Sequence, residues 1–128
     1  FERVDIILGR RPKAALPLSD AGGSREELLA RTGQVVGVAG ASLGVSRGEI
    51  CVLMGLSGSG KSTLLRAVNR LVPVTRGRVL VRDGDRQIDV SSCDRTTLRC
   101  LRMRRIAMVF NNSPSYRGGP WRKMSPSL

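Results

Sequence analysis

Gly55-Leu56-Ser57-Gly58-Ser59-Gly60-Lys61-Ser62 is the stretch that decides the reading of this chain. It fits the pattern G-x-x-x-x-G-K-[S/T] of a phosphate-binding loop. It also stands where that loop has to stand, after the apolar run Ile50-Cys51-Val52-Leu53-Met54 and ahead of helical spacing from Lys61 to Arg70. Glycines let the backbone curl into a nest in which the N–H groups of Gly58 through Thr63 point at one phosphate, helped by the positive end of the following helix. In that arrangement Lys61 supplies charge to the β- and γ-phosphates, and the Ser62 hydroxyl becomes a ligand for Mg²⁺. An accidental match at four specified positions is expected in roughly one chain of this length in a few hundred. The loop residues Gly55, Ser57, Gly58, Ser59, Gly60, Lys61, Ser62 and Thr63 are therefore the candidate nucleotide site, with Lys61 the candidate catalytic residue and Ser62 the candidate metal ligand.

The elements around the loop follow from local signals. Ile50 to Met54 reads as a buried strand, and Leu64, Leu65 and Val68 mark one face of a helix that ends before Pro73. Upstream, Ser24 followed by Glu27 forms a capping box for a short helix over 24–31, stopped at Thr32-Gly33. Residues 1–23, with Pro12, Pro17 and Gly22-Gly23 as breaks, read as having little regular structure. Val35-Val36 and Ala39 to Val45 carry strand-like apolar residues, and Arg47-Gly48 is a turn. Downstream, Arg78 to Arg82 and Gln87 to Val90 flank Asp83-Gly84 as a hairpin, Asp94 caps a helix from Arg95 to about Arg104, and Ile106 to Phe110 is a further strand candidate. The pattern collapses after Phe110.

The chain has 128 residues, room for one small domain with an apolar core. No apolar run approaches the roughly 20 residues of a membrane span, and the opening has no secretory signal. Beginning at Phe1, the sequence reads as a fragment starting inside a longer frame. The net charge is +12, which raises nucleic acid or an anionic membrane surface as a partner. No basic residues form a solid block, however, and only 3% of the chain is aromatic, so stacking platforms for single strands are scarce. Arg99, Arg102, Arg104 and Arg105 read as a solvated helix edge. Three cysteines without C-x-x-C spacing and the absence of histidine argue against zinc and against a thiol with a base beside it. Cys51 reads as a small core residue.

From Glu49 through Arg66 the sequence resembles the start of an ABC-transporter nucleotide-binding domain, and Gly77 to Gly84 and Arg105 to Phe110 resemble the strands that follow it. Leu56 within the loop, Ala67-Val68-Asn69-Arg70, Val74-Thr75-Arg76-Gly77 and the leader Val4-Asp5-Ile6-Ile7 with Thr32-Gly33 resemble, more narrowly, the ATPase subunits of glycine betaine and choline importers. The resemblance implies an α/β P-loop NTPase fold, here a fragment with a small antiparallel β part and the first strand–loop–helix unit of a parallel core. It further implies ATP and Mg²⁺ as cofactors, a second ATP-binding subunit, and a membrane permease fed by a substrate-binding protein. The resulting location is the cytoplasmic face of the membrane, reached through the permease. Nucleic acid is not expected as a partner. Another P-loop enzyme, such as a small-molecule kinase or a GTPase, and a basic nucleic-acid-binding module are the alternatives.

The resemblance also exposes departures. The family's glutamine loop would follow Val109-Phe110, where this chain has Asn111-Asn112, and the signature motif, Walker B aspartate, catalytic glutamate and switch histidine are not among these 128 residues. Many relatives place an aromatic residue ahead of the loop to stack on adenine; here the matching stretch is Thr32-Gly33, with Val36 the nearest apolar candidate. The expected organisation is an extension with a short helix over 1–33, the N-terminal part of an ATP-binding domain over 34–110, and an irregular tail over 111–128. The tail reads as frameshifted: one C placed before the codons of Asn111 onward permits a Q-Q-F-A-L-L-P-W-R string of the family's kind.

Overall fold

The computed structural model describes residues 1–110. The tail expected to be frameshifted, 111–128, lies outside the described residues. The opening segment departs from the expectation of little regular structure. Glu2–Leu8 forms strand β1, Pro12–Ala15 a 3₁₀ turn and Leu16–Asp20 the short helix α1. Strand β1 is the centre of a three-stranded antiparallel sheet, flanked by β2 (Val35–Ala41) and β3 (Arg76–Arg78). Its register sets Ile6 opposite Val38, Ile7 opposite Val36 and Leu8 opposite Val35.

Neighbouring side chains on a strand point to opposite faces, and β1 is covered on both. Val4 and Ile6 enter a cluster with Val38, Leu64, Ala67, Val79, Val90, Leu98 and Leu101, while Ile7 enters a second cluster with Ala15, Leu28 and Val36. Full burial of a side chain such as Ile6 or Leu28 contributes about 1.5–3 kcal/mol. What hides this strand from a sequence reading is Asp5, an acid in its middle that is only 3% exposed. A partner 71 residues away makes that burial tolerable. The Arg76 Nε donates to Asp5 Oδ2 at 2.6 Å, and the backbone N–H of Gly40 donates to Asp5 Oδ1 at 2.6 Å. Arg76 also forks onto Asp20 at 2.8 and 2.6 Å, and that hydrogen bonding holds the Asp20 carboxyl below its ordinary value. A buried carboxylate with paired donors of this kind is sustainable where a lone one is not.

The locally signalled elements form as the sequence indicates. Helix α2 spans Arg25–Thr32 behind the Ser24/Glu27 capping box, with the Glu27 amide donating to Ser24 Oγ at 3.2 Å and the Ser24 amide to Glu27 Oε2 at 2.9 Å. Gly33, in the left-handed region at φ 66°, ends it. Strands β4 (Leu80–Asp83) and β5 (Arg86–Asp89) pair antiparallel around a Gly84-Asp85 turn. Helix α4 (Arg95–Arg104) begins at Asp94, whose carboxylate accepts from the amides of Thr96 and Thr97 at 2.9 and 3.0 Å. On helix α3 (Lys61–Val68) the buried residues are Leu64 and Ala67, and Leu65, expected on the same face, is half exposed. Arg105 pairs with Asp83 and Arg102 donates to the Asn69 carbonyl, while Arg99 and Arg104 are exposed.

Two expected strands do not form. Ile50 to Met54 has no regular structure, and Ile50, Val52 and Met54 are 89%, 71% and 87% exposed; Cys51, expected in the core, is exposed as well. Ile106 to Phe110 is likewise irregular, with Val109 exposed. A strand that is apolar on both faces is held by neighbours on both of its edges, and among the described residues no strand pairs with either segment. Leu53 and Ile106 are the residues of these runs that pack against the main cluster. Helices and strands are mixed, with all strand pairs among the described residues antiparallel.

Candidate functional site

The loop reaches helix α3 through Gly60, which sits at φ 94° and has no side chain to cap the helix. A Cβ built there would lie 2.1 Å from the carbonyl oxygen of Gly37, so the start of α3 rests directly on the backbone of β2. Gly37 makes the same approach from its side, since a Cβ on it would lie 3.0 Å from Thr63 Cγ2. Gly60 has to be glycine for strand and helix to meet this closely, and at Gly37 a side chain would press on Thr63. The first N–H groups of any helix lack intrahelical partners; here no side chain caps the start of α3, and Lys61, Ser62 and Thr63 line a cleft.

That cleft has a volume of about 560 Å³. Ser57 through Thr63 line one side, the start of β2 and Leu8 of β1 another, and Arg25, Glu26 and Leu29 of α2 the third. Seven of the eight residues singled out in the sequence thus meet at one surface. Gly55 lies apart, on a second cleft of about 400 Å³ lined also by Leu53, Met54 and Lys61.

Lys61 bridges the two sides of the loop. Its Nζ donates to the carbonyl oxygens of Gly55 and Leu56 at 2.7 and 2.6 Å and to Ser59 Oγ at 3.1 Å, so all three ammonium donors are engaged by the loop. The ammonium is exposed, and phosphate oxygens would compete for it with neutral carbonyls, the weaker acceptors. Ser62 is exposed on the cleft wall, and its hydroxyl suits Mg²⁺, which takes oxygen ligands and commonly completes its shell with phosphate and water. No group of three or more His, Cys, Asp or Glu able to hold a metal occurs among the described residues.

Arg25, Glu26, Leu29 and Leu8 are cleft residues that the sequence did not reveal. Arg25 Nη1 donates to the Gly58 carbonyl at 3.1 Å, tying the first turn of α2 to the loop across 33 residues of chain. No local signal marks that contact, because the capping box fixes where α2 begins but not what it packs beside.

A family model described as ABC transporter matches residues 38–118. The chain is 46% identical over 106 residues to the glycine betaine/proline betaine transport system ATP-binding protein of Escherichia coli, covering 83% of this chain and 26% of that protein. It is 43% identical over 109 residues to a glycine betaine transport ATP-binding protein of Bacillus subtilis, covering 85% and 25%. With a phosphate-import ATP-binding protein of Mycolicibacterium smegmatis the identity is 46% over 86 residues, covering 67% and 31%. The chain spans about a quarter of the length of the first two relatives.

Proposed function

The chain belongs to the ABC transporter family, and from that premise we propose that it carries the ATP-binding corner of an importer ATPase for quaternary amines such as glycine betaine or choline. The observation that carries the nucleotide reading is the side-chain-free start of α3, where glycine-shaped backbone, Lys61 and Ser62 converge on one cleft. Ser57 to Thr63 form the nest for the phosphates, Lys61 neutralises their charge, and Ser62 holds Mg²⁺, which when bound draws charge off the phosphoryl oxygens. The amine class is supported by the two relatives named for glycine betaine, which align over more of this chain than the phosphate-import protein does. Residues 34–110 are the N-terminal part of the ATP-binding domain, with the extension 1–33 lending its sheet a central strand.

The partners in this reading are a second ATP-binding subunit and a membrane permease, with a substrate-binding protein acting through the permease. No helix among the described residues is long and apolar enough to cross a membrane, and the proposed location is the cytoplasmic face, held there by the permease. The exposed apolar residues Ile50, Val52, Met54 and Leu56 fit the same reading, because a buried strand leading into the loop needs neighbours to cover it.

The experiment is a titration of the 128-residue chain and its Lys61→Ala variant with a fluorescent ATP analogue in Mg²⁺. Loss of a charge-assisted contact is expected to weaken binding about 10- to 100-fold. Equal affinities would remove Lys61 from its role.

A further inference from the structure

We propose that Arg25, on the first turn of α2, is a positioning residue for the phosphate loop: its bond to the Gly58 carbonyl sets the direction of the Ser59 N–H and so raises the loop's affinity for phosphate. This rests on the nucleotide reading of the loop and deepens it, since Arg25 acts on the loop's backbone and not on the ligand.

The loop is pinned at its ends and free at its tip. Gly60 rests on the Gly37 carbonyl of β2, and Lys61 Nζ reaches back to the Gly55 and Leu56 carbonyls. At the tip, Gly58 has φ 80°, and a Cβ built on it would meet nothing within 4 Å. Among the described residues, the one hydrogen bond that reaches Ser57 to Ser59 from outside residues 55–61 is that of Arg25 Nη1 to the Gly58 oxygen, at 3.1 Å.

In a planar trans peptide the C=O and N–H point in opposite directions. Holding the Gly58 oxygen toward α2 therefore turns the Ser59 N–H away from that helix. This N–H donates to the Leu56 carbonyl at 3.3 Å, and the Lys61 ammonium donates to the same oxygen at 2.6 Å. Two donors converge on one neutral acceptor, so a phosphate oxygen, the stronger acceptor, finds both aimed at one point. The Ser59 bond is long and yields readily to such a competitor. Without Arg25, a tip of serines and glycine samples other peptide orientations, and binding has to order it first.

The start of α2 is complete without Arg25. Ser24 and Glu27 close it, and a cation in the first turn opposes the helix dipole, which favours Glu26 and Glu27 there. Arg25 forms no ion pair among the described residues. Leu28, one turn on, is buried with Ile7, Ala15 and Val36 and anchors the helix that carries it. Arg25 thus extends from a fixed helix to a loop tip that nothing else outside the loop holds.

The test measures ¹⁵N order parameters of the ligand-free 128-residue chain, and its calorimetric affinity for tripolyphosphate with Mg²⁺, in wild type, Arg25→Ala and Arg25→Lys. Circular dichroism verifies the fold. In Arg25→Ala the amides of Gly58 and Ser59 are expected to become mobile, their order parameters falling from about 0.85 toward 0.6, while those of Glu27 and Leu28 stay rigid. Affinity is expected to fall about 3- to 10-fold. The bond is single, so a Lys ammonium can replace it, and Arg25→Lys is expected to restore most of both losses. Unchanged affinity in Arg25→Ala overturns the proposal and leaves the loop intact. So does lost affinity with a tip as rigid as in wild type, which assigns Arg25 to direct contact with the anion, and so does an Arg25→Lys variant no better than Arg25→Ala. Wild-type chain that binds no tripolyphosphate overturns the nucleotide reading, and the proposal with it.

Discussion

Helices α2 and α3 begin at the same cleft, yet their first turns are finished in opposite ways. Helix α2 is closed by its own side chains, Ser24 and Glu27 satisfying each other's amides. Helix α3 starts at a left-handed glycine with nothing to close it. The sequence spends two polar residues to stabilise one helix start and withholds them from the other, twenty-eight residues beyond the Gly33 that ends α2 counting to Lys61. Unsatisfied donors cost free energy in a fold that has no use for them, so an uncapped start walled by a cationic lysine marks the turn kept for an anion. Helix α4, capped by Asp94, sides with α2.

The largest effects are expected at glycines. Gly60→Ala forces a Cβ to 2.1 Å from the Gly37 carbonyl at φ 94°, whereas Gly33→Ala, at φ 66°, meets nothing within 4 Å. The first is expected to destabilise the chain by about 2 kcal/mol or more and to abolish tripolyphosphate binding. The second is expected to cost only the left-handed conformation, about 1 kcal/mol, with binding retained. Urea unfolding and calorimetry of the two variants check this. Equal effects would mean that the corner between β2 and α3 is not built on glycine.

A smaller effect separates capping from binding. Ser24→Ala removes the capping box and is expected to lower stability by about 1 kcal/mol, or about 4 °C in Tm for a chain of this length. Tripolyphosphate affinity should stay within about twofold of wild type, because Ser24 does not line the cleft. A large loss of affinity at full folding would tie the two helix starts together energetically.

The smallest effect is electrostatic. The Thr97 hydroxyl and amide hold the Asp94 carboxyl below its ordinary value of 3.8. The unfolded chain therefore binds this proton more tightly, so the stabilisation is fully present above pH 3.8 and is lost as pH falls through the lower folded value. Asp94→Asn keeps a capping side chain without the charge and should show a shallower fall in stability on acidification below that pH. Acid titration followed by circular dichroism measures the difference; parallel curves would remove the carboxylate from the cap.

These contrasts also show which features the sequence could carry. The capping box, the phosphate loop, the hairpin and the Asp94 cap are each complete within a few residues, so local chemistry specifies them. Strand β1 is not local: its burial depends on Ile6 facing Val38 and on Asp5 meeting Arg76. Reading 1–23 as irregular followed from that acid and from the prolines beyond it. The exposure of Ile50 to Met54 was hidden for the converse reason, because apolar content promises burial only when something lies alongside. Within the site, the loop residues were legible by spacing, while Arg25, Leu29 and Leu8 reach the cleft through tertiary packing across about 28 to 55 residues of chain.

The most direct test of the central claim records backbone amide shifts of the ¹⁵N-labelled 128-residue chain as tripolyphosphate and Mg²⁺ are added. The amides of Gly58 through Thr63 at the start of α3 should move and saturate together, while those of Glu27 and Leu28 in α2 and of Thr96 and Thr97 in α4, already satisfied, should hold still. Unmoved loop amides, or equal shifts at all three helix starts, would contradict the account.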